Sequence, residues 1–347
     1  MNIVIMAGGK GTRFWPRSIA SMPKQFLPFH SDRTLIQETA ARFLNLVPGS
    51  RLYVAAPNCY QPLLAEQLPD MHPDQYIIEP EQKDTAACMA LVASRFLEKG
   101  DDSPIVFVPS DQYVADEQPF LAAIEQAVAA AGAQDAIVTL GIEPDRPETG
   151  FGYLRTSPAP LDTMKETVEM PPGVLRVVHF LEKPNAERAA QLIREPGMYW
   201  NSGIFVWRPS TIARCLQRYQ PLLWNGLQTH PRDAAAAYAL MPALSIDYAV
   251  MEQVQTLYCI PVRCGWDDIG SWAALGRHLT PDSGGNIRHG DAIVLPEATG
   301  NTVFTDRQTL IIGVHDLIVV STPHGLLVCP KAEEAKLKTW LAHIRSD

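Results

Sequence analysis

Four apolar residues, Ile3-Val-Ile-Met6, run without interruption and give way at Gly8-Gly9-Lys10-Gly11-Thr12-Arg13. A strand that is apolar at every position is buried on both faces, which happens mainly in a parallel sheet covered by helices. The glycines that follow let backbone N–H groups approach a polyphosphate without obstruction from Cβ. A plain tight turn would use the same residues. The spacing is not that of a P-loop, which has four residues between its first glycine and Gly-Lys-Ser/Thr. Nor is it a dinucleotide fingerprint, because Phe14 stands where the third glycine belongs.

The next stretches keep the same rhythm. Strand-like runs at Leu52–Ala55, Ile77-Ile78, Ile105–Val108 and Ala136–Leu140 alternate with helical patterns at Leu35–Leu46, Thr85–Leu97 and Phe120–Ala131. This alternation predicts an α/β fold: a Rossmann-like mixed, mostly parallel sheet with helices on both faces. Beyond residue 145 strands are expected at Gly150–Arg155 and Val174–Phe180, flanking a Pro-rich connection at Ser157–Pro172. A helix at Ala186–Ile193, a strand at Gly203–Trp207 and a helical stretch over Thr211–Leu240 follow. From about Gly285 the runs Ala292–Leu295, Thr302–Thr305, Leu310–Val314, Leu317–Val320 and Leu326–Cys329 are broken by Gly, Asp or Pro. Rungs of a small β-helix fit that pattern, as does an antiparallel sheet, before an amphipathic helix over Lys331–Ile344. No strict internal period is visible, which argues against a long solenoid. Residues 1–280 therefore read as one domain, with a distinct part at about 146–275, and 281–347 as a β-rich, β-helix-like domain.

The chain of 347 residues carries 29 basic and 38 acidic side chains, a formal net charge of −9, with no long Lys/Arg cluster. That excludes a duplex nucleic-acid stripe and leaves small anions, which a few focused cations can hold. The six cysteines, at 59, 88, 215, 259, 264 and 329, form no Cys-x-x-Cys pair, and no His cluster completes a zinc set. Reduced thiols, an N-terminus without a basic signal-peptide start, and no long apolar run predict a cytoplasmic protein without a membrane span.

The glycine loop continues as Arg13-Phe14-Trp15-Pro16 and then Pro23-Lys24-Gln25-Phe26. Two cations, Arg13 and Lys24, bracket it, which suits a triphosphate better than a structural turn. Here the sequence resembles the sugar-nucleotide pyrophosphorylases, whose signature is Gly-Gly-x-Gly-Thr-Arg followed by a lysine. The Trp-Pro and Pro-Lys-Gln-Phe elements look like the mannose-1-phosphate guanylyltransferase branch, and later motifs recur in family order over most of the chain. The resemblance implies that Ala7, Gly8, Gly9, Gly11, Thr12, Arg13 and Lys24 bind the nucleotide, together with Ser110 and Asp111.

Pro109-Ser110-Asp111 puts a carboxylate past the end of a buried strand, where ligands of parallel sheets gather, although a turn or helix cap uses the same residue. Trp266-Asp267-Asp268-Ile269-Gly270-Ser271-Trp272 supplies a second acidic segment, and two carboxylates can hold Mg²⁺ beside substrate phosphates. The resemblance assigns the metal to Asp111 and Asp268, with Asp267 a neighbour. It gives Glu182 of Glu182-Lys183-Pro184 to the sugar hydroxyls and Lys183 to the sugar phosphate. Thr149-Gly150-Phe151-Gly152-Tyr153 and Asn201-Ser202-Gly203 match further sugar-contacting elements, here Gly150, Gly152 and Asn201. The resemblance places base reading at Glu79-Pro-Glu-Gln-Lys-Asp-Thr85, where many relatives show Arg-Asn or Arg-Asp in place of Lys83-Asp84. Glu79, Asp84 and Thr85 are the candidates, and Asp84-Thr85 serves equally as a helix cap.

The activity implied is nucleotidyl transfer from GTP to mannose 1-phosphate. The attacking phosphate is already anionic, so Arg13, Lys24 and Lys183 would act by positioning and charge stabilisation rather than as bases. Other sugar 1-phosphates or nucleotides are the nearest alternative, and a silent nucleotide-sugar-binding regulator is another. The complete set of Arg13, Lys24, Asp111, Lys183 and Asp268 argues against the regulator. A phosphomannose isomerase activity is disfavoured, because the tail is short for a cupin barrel and lacks a His/Glu cluster. That tail has little core of its own, so it is expected to pack on the rest of the chain or in a homodimer.

Overall fold

The apolar run at the start of the chain becomes β1 (Asn2–Met6), hydrogen-bonded between β2 (Leu52–Pro57) and β4 (Ile105–Pro109), with β3 (Tyr76–Glu79) beyond β2. These belong to a computed structural model that describes residues 1–157 and 170–344, with most of the Pro-rich connection at Ser157–Pro172 outside the described residues. Two compact units emerge. The first comprises Met1–Gly8, Thr39–Ser110 and Val114–Trp266, and the second Gly9–Glu38, Asp111–Tyr113 and everything from Asp267 onward.

The first unit is built on a nine-stranded sheet ordered β3-β2-β1-β4-β8-β5-β9-β7-β6. The added strands are β5 (Ile137–Ile142), β6 (Tyr153–Ser157), β7 (Leu175–Leu181), β8 (Met198–Trp207) and β9 (Leu257–Val262). Its helices are α1 (Leu35–Leu44, shared at its start with the second unit), α2 (Gln61–Gln67), α3 (Asp84–Glu98), α4 (Glu117–Ala133), α5 (Ala186–Leu192), α6 (Pro209–Tyr219), α7 (Pro221–Thr229) and α8 (Ala234–Ala239). Side chains alternate along a strand, so Val4, Ile105 and Phe107 join a core with α3, α6, α7 and α8. Ile3, Ile5 and Val106 face the opposite way and are fully buried as well. On that side α4 packs against β4, β5, β8 and β9, and Phe43 of α1 meets Phe120 of α4 at 5.9 Å.

Two features depart from the sequence pattern. Parallel pairing is confined to β3-β2-β1-β4 and β5–β9, because β8 runs antiparallel between β4 and β5, and β6 and β7 form an antiparallel pair. The helical stretch over Thr211–Leu240 is three helices, since Pro221 and Pro231 withhold the N–H that would continue each one.

In the second unit a four-stranded sheet is ordered β10 (Ile287–Val294), β11 (Thr302–Ile311), β12 (Leu317–Thr322) and β13 (Gly325–Pro330). β10, β11 and β12 pair in parallel, as rungs do, and β13 returns antiparallel. The run Thr302–Thr305 and the first two residues of Leu310–Val314 merge into β11, whose end at Ile311 leaves Ile312, Gly313 and Val314 outside it. Asn286 and Asn301 stack at the rung corners: Asn301 donates to Asn286 Oδ1 at 3.0 Å from both N and Nδ2, and Asn301 Oδ1 accepts from Leu317 N at 3.0 Å. Two short helices complete the unit, α9 (Trp272–Gly276) and, after a 3₁₀ turn at Lys331–Lys336, α10 (Leu337–Ile344). No helix among the described residues is long and apolar enough to cross a membrane.

The rungs do not close a core alone. Phe304, Ile318, Val320 and Leu327 share one with Phe14, Phe29, Ile269 and Trp272. Trp272 lies 5.0 Å from both Phe14 and Phe304, ring centre to ring centre. Phe14 thus stands in place of a third glycine because it is a core residue. Trp272→Ala should destabilise this unit by about 3–5 kcal/mol, the usual result of emptying a large aromatic site. Hydrogen exchange should then accelerate together in residues 9–38 and in β10–β13, and protection kept in either segment would refute the shared core.

Candidate active site

The phosphate-loop candidates divide between the two units. In the second, Gly11 has φ +59°, and a Cβ there would stand 2.5 Å from Lys24 Cβ and 2.8 Å from Lys24 N. Only glycine permits both the left-handed turn and this close approach. Gln25 Nε2 donates to Gly9 O at 3.0 Å, so the Lys24-Gln25 turn braces the loop from behind. Thr12 and Arg13 open a 3₁₀ turn that ends in the buried Phe14.

Lys24 is 4% exposed. Its Nζ donates to Asp111 Oδ2 at 2.8 Å, Asp111 O at 3.2 Å and Asp268 O at 2.9 Å, and sits 5.6 Å from the Phe14 ring centre. An isolated bridge brings the two acidic segments together: Tyr113 N donates to Asp267 O at 2.9 Å and Asp267 N to Tyr113 O at 3.1 Å. Burial pushes the Asp268 carboxyl above its ordinary value, Lys24 and Arg13 pull it down, and Asp111 and Asp267 push it up. A Cβ on Gly270 would lie 2.6 Å from Asp268 Oδ2 and 3.0 Å from Arg13 Nη1, so that glycine gives both groups their space. Arg13, Lys24, Asp111 and Asp268 are therefore neighbours. Asp267 is not free to join them, since its carboxylate takes Arg277 Nη2 at 2.6 Å and His278 Nε2 at 2.9 Å.

In the first unit Ala7 N donates to Ala55 O at 2.8 Å and Ser110 N to Met6 O at 3.2 Å, extending the sheet ladder to the loop's start. Gln82 Nε2 donates to Gly8 O at 2.8 Å, and a Cβ on Gly8 would be 3.6 Å from Glu79 Oε1. Glu79 is 4% exposed and accepts from Tyr238 Oη at 3.2 Å. Burial raises its carboxyl to about 7, against opposing bonds from Tyr238 and Cys88. Asp84 occupies a left-handed conformation at φ 66°, which Asn and Asp tolerate best. Its Oδ1 accepts from Thr85 N at 2.7 Å, while Thr85 Oγ1 accepts from Ile246 N at 2.8 Å.

The sugar-side candidates also converge in the first unit. Lys183 Nζ pairs with Glu182 Oε1, the lysine side chain 56% exposed and the glutamate 6%. Glu182 Oε2 is buried without a hydrogen-bond partner among the described residues, and a Cβ on Gly152 would stand 2.5 Å from it. Asn201 N donates to Gly152 O at 2.8 Å, and Lys183 N to Phe151 O at 3.2 Å. Gly150 N donates to Glu148 Oε1 at 3.1 Å. A further acid, Asp247, accepts from Asn201 Nδ2 at 3.1 Å. Burial and the Glu182 charge raise it to about 7, with Lys183 opposing. Sequence reasoning passes over Asp247, whose only local signal is an acid opening the apolar stretch Asp247-Tyr-Ala-Val-Met251.

A family model described as nucleotidyl transferase matches residues 2–280. The chain belongs to the nucleotidyl transferase family. Among similar proteins, the mannose-1-phosphate guanylyltransferase of Escherichia coli K12 is 33% identical over 360 residues, covering 99% of this chain and 73% of that protein. The xanthan biosynthesis protein XanB of Xanthomonas campestris is 33% identical over 355 residues with the same coverage. A Thermus thermophilus crystal structure described as a mannose-1-phosphate geranyltransferase superposes with TM-score 0.88 at 30% identity, covering 99% of each chain.

For this nucleotidyl transferase the raised Glu79 carboxyl has a measurable consequence. Its folded value, about 7, exceeds the ordinary 4.5, so the stability it contributes is fully present below about pH 4.5 and is lost as pH rises through about 7. Relative to Glu79→Gln, the native protein should lose up to about 3 kcal/mol across that window. Denaturant unfolding of both proteins at several pH values checks this, and parallel pH profiles would show that Glu79 titrates normally.

Proposed function

We propose that this nucleotidyl transferase moves the guanylyl group of GTP onto mannose 1-phosphate, forming GDP-mannose and releasing pyrophosphate. The observation that carries the reading is the neighbourhood of Arg13, Lys24, Asp111 and Asp268, in a chain similar along nearly its whole length to a mannose-1-phosphate guanylyltransferase. A phosphate oxygen of the sugar phosphate attacks the α-phosphorus as the bond to the β-phosphate oxygen breaks. No side chain has to remove a proton.

The loop from Ala7 through Gly8, Gly9, Gly11 and Thr12 offers backbone N–H groups to the triphosphate, with Ser110 at the adjoining strand end. Arg13 stabilises the charge that develops on the leaving pyrophosphate, and Lys24 holds Asp111 and the Asp268 backbone in place. Asp111 and Asp268 fit a magnesium ion: both are hard oxygen donors that feel each other's charge, and Mg²⁺ binds through one or two carboxylates plus substrate phosphates. Bound there, the ion would neutralise phosphate charge. Glu79 is the best-supported base reader, because guanine presents adjacent N1–H and N2–H donors and Glu79 lies beside Gly8; Asp84 and Thr85 shape the same segment. On the sugar side Glu182 Oε2, unpartnered among the described residues, is an acceptor for a hydroxyl. Lys183, the more exposed partner of that ion pair, is free to turn to the sugar phosphate, with Gly150, Gly152, Asn201 and Asp247 around it.

A panel of sugar 1-phosphates against four nucleoside triphosphates should give the highest kcat/KM for GTP with mannose 1-phosphate. In the same assay Lys183→Ala should raise the KM for mannose 1-phosphate about tenfold or more while leaving that for GTP nearly unchanged, as loss of one charge-assisted contact predicts. Preference for another triphosphate would overturn the substrate assignment, and a defect confined to GTP would overturn the role of Lys183.

The acidic chain takes small anions rather than nucleic acid in this reading. Its six free cysteines suit a reducing cytoplasm. Ile293, Leu310, Ile312, Leu326 and Val328 are exposed on the tail sheet, which supports a homodimer through it. Light scattering at micromolar concentration should give twice the 38.3 kDa chain mass, and a monomer would count against that arrangement.

A further inference from the structure

A second cluster of cations lies away from every motif discussed above, within the first unit. The last turns of α3 and the connection between α7 and α8 line an open surface cavity of about 560 Å³, at which Arg95, Lys99 and Arg232 are exposed. Arg95 and Lys99 reach it from α3, and His230 and Arg232 from the connection, while Leu91, Leu227, Pro231 and Ala234 give it an apolar wall. The side chains of Arg95, Lys99 and Arg232 make no ion pair or hydrogen bond to any described residue. The one carboxylate in the lining, Glu98, accepts from Ser94 Oγ at 3.1 Å.

Complementing the carbonyl end of α3 would account for Arg95 and Lys99 alone. It does not explain why Arg232 and His230 converge on the same space from another element. In a chain of net charge −9, three unpaired cations around one cavity make a local positive field. The volume is in the range of small-molecule sites, and the apolar wall suits a ligand with an uncharged body.

We propose that this cavity binds a phosphorylated small molecule, its phosphate held by Arg95, Lys99 and Arg232, as an effector rather than a substrate. The route to the nucleotide side is short. α8 begins at the cavity with Ala234 and carries Tyr238, which donates to Glu79 Oε2 and to Ala87 O of α3, each at 3.2 Å. An anion that draws Arg232 toward Arg95 braces α8 against α3 and thereby steadies Glu79. Only this last link rests on the proposed role of Glu79.

Inorganic pyrophosphate is a suitable probe, followed by hydrogen exchange and calorimetry on the full chain, on Arg13→Ala, which removes the exposed cation assigned to pyrophosphate at the candidate active site, and on the double variant Arg95→Glu/Arg232→Glu. Protection is expected over residues 94–99 and 227–236 in the native protein and in Arg13→Ala. The double variant should lose that protection, with the calorimetric affinity of this site down about tenfold or more, as for removed charge-assisted bonds. Lys99→Gln, an exposed single change, should give a smaller loss in the same direction. Absence of protection at 227–236 in the native protein, or the same protection in the double variant, would overturn the proposal. Because the readout is binding, it is independent of which substrates the enzyme turns over.

Discussion

A buried ammonium holds the second unit together. Desolvating an unpaired lysine costs several kcal/mol, so Lys24 can be interior only with its three acceptors in place. Two come from Asp111 and one from Asp268, segments far apart in sequence. The glycine loop folds over the lysine because Gly11 has no Cβ, and the Phe14 ring lies beneath the charge. Phe14 is in turn a wall of the core that the β-rungs need. Charge, loop and tail therefore form one cooperative arrangement, in which loss of any part exposes another.

That arrangement also explains how two aspartates coexist near each other. Burial and like charge both oppose ionisation of Asp268, and Lys24 and Arg13 oppose that in turn. The cations bracketing the loop thus have an intramolecular task as well as the one assigned to them toward a triphosphate. Glu334 makes a similar contribution next door: its carboxylate accepts from Trp272 N and Ala273 N and so caps α9, directly after the Asp268 turn.

Much of this was legible in local signals. The buried strand ending in glycines, the aspartate past β4 and the Glu-Lys-Pro turn rest on apolar runs and turn residues that neighbouring positions determine. What was not legible depends on distant partners. β9 reads as an apolar run interrupted by Pro261, and only pairing with β5 on one side and β7 on the other makes it a central strand. Asp247 belongs to no motif and acquires its place from Asn201 and Lys183 across the fold. The rung repeat was hidden for another reason. Asn286, Asn301 and Asp316 recur fifteen residues apart, but the third is an aspartate and the apolar runs between them differ in length. The breaks at Pro221 and Pro231, by contrast, were in plain view and outweighed an alanine-rich helix propensity.

The carboxyls themselves separate structure from function. Asp267 is buried, yet Arg277 and His278 satisfy its charge, so it has nothing left to offer a ligand. Glu79 and Asp247 are buried with only partial compensation, from Tyr238 and Cys88 in one case and from Asn201 and Lys183 in the other, and are pushed to about 7. Replacing incompletely compensated buried acids with amides or apolar groups is often neutral or stabilising. A fold arranged for stability alone would therefore not place them there. Each also sits beside a motif residue: Glu79 against Gly8, Asp247 against the Glu182–Lys183 pair. Guanine N–H groups or sugar hydroxyls would supply the donors that favour the ionised forms. In the proposed reading, part of the binding energy at these two acids would be relief of an electrostatic strain already present in the free protein.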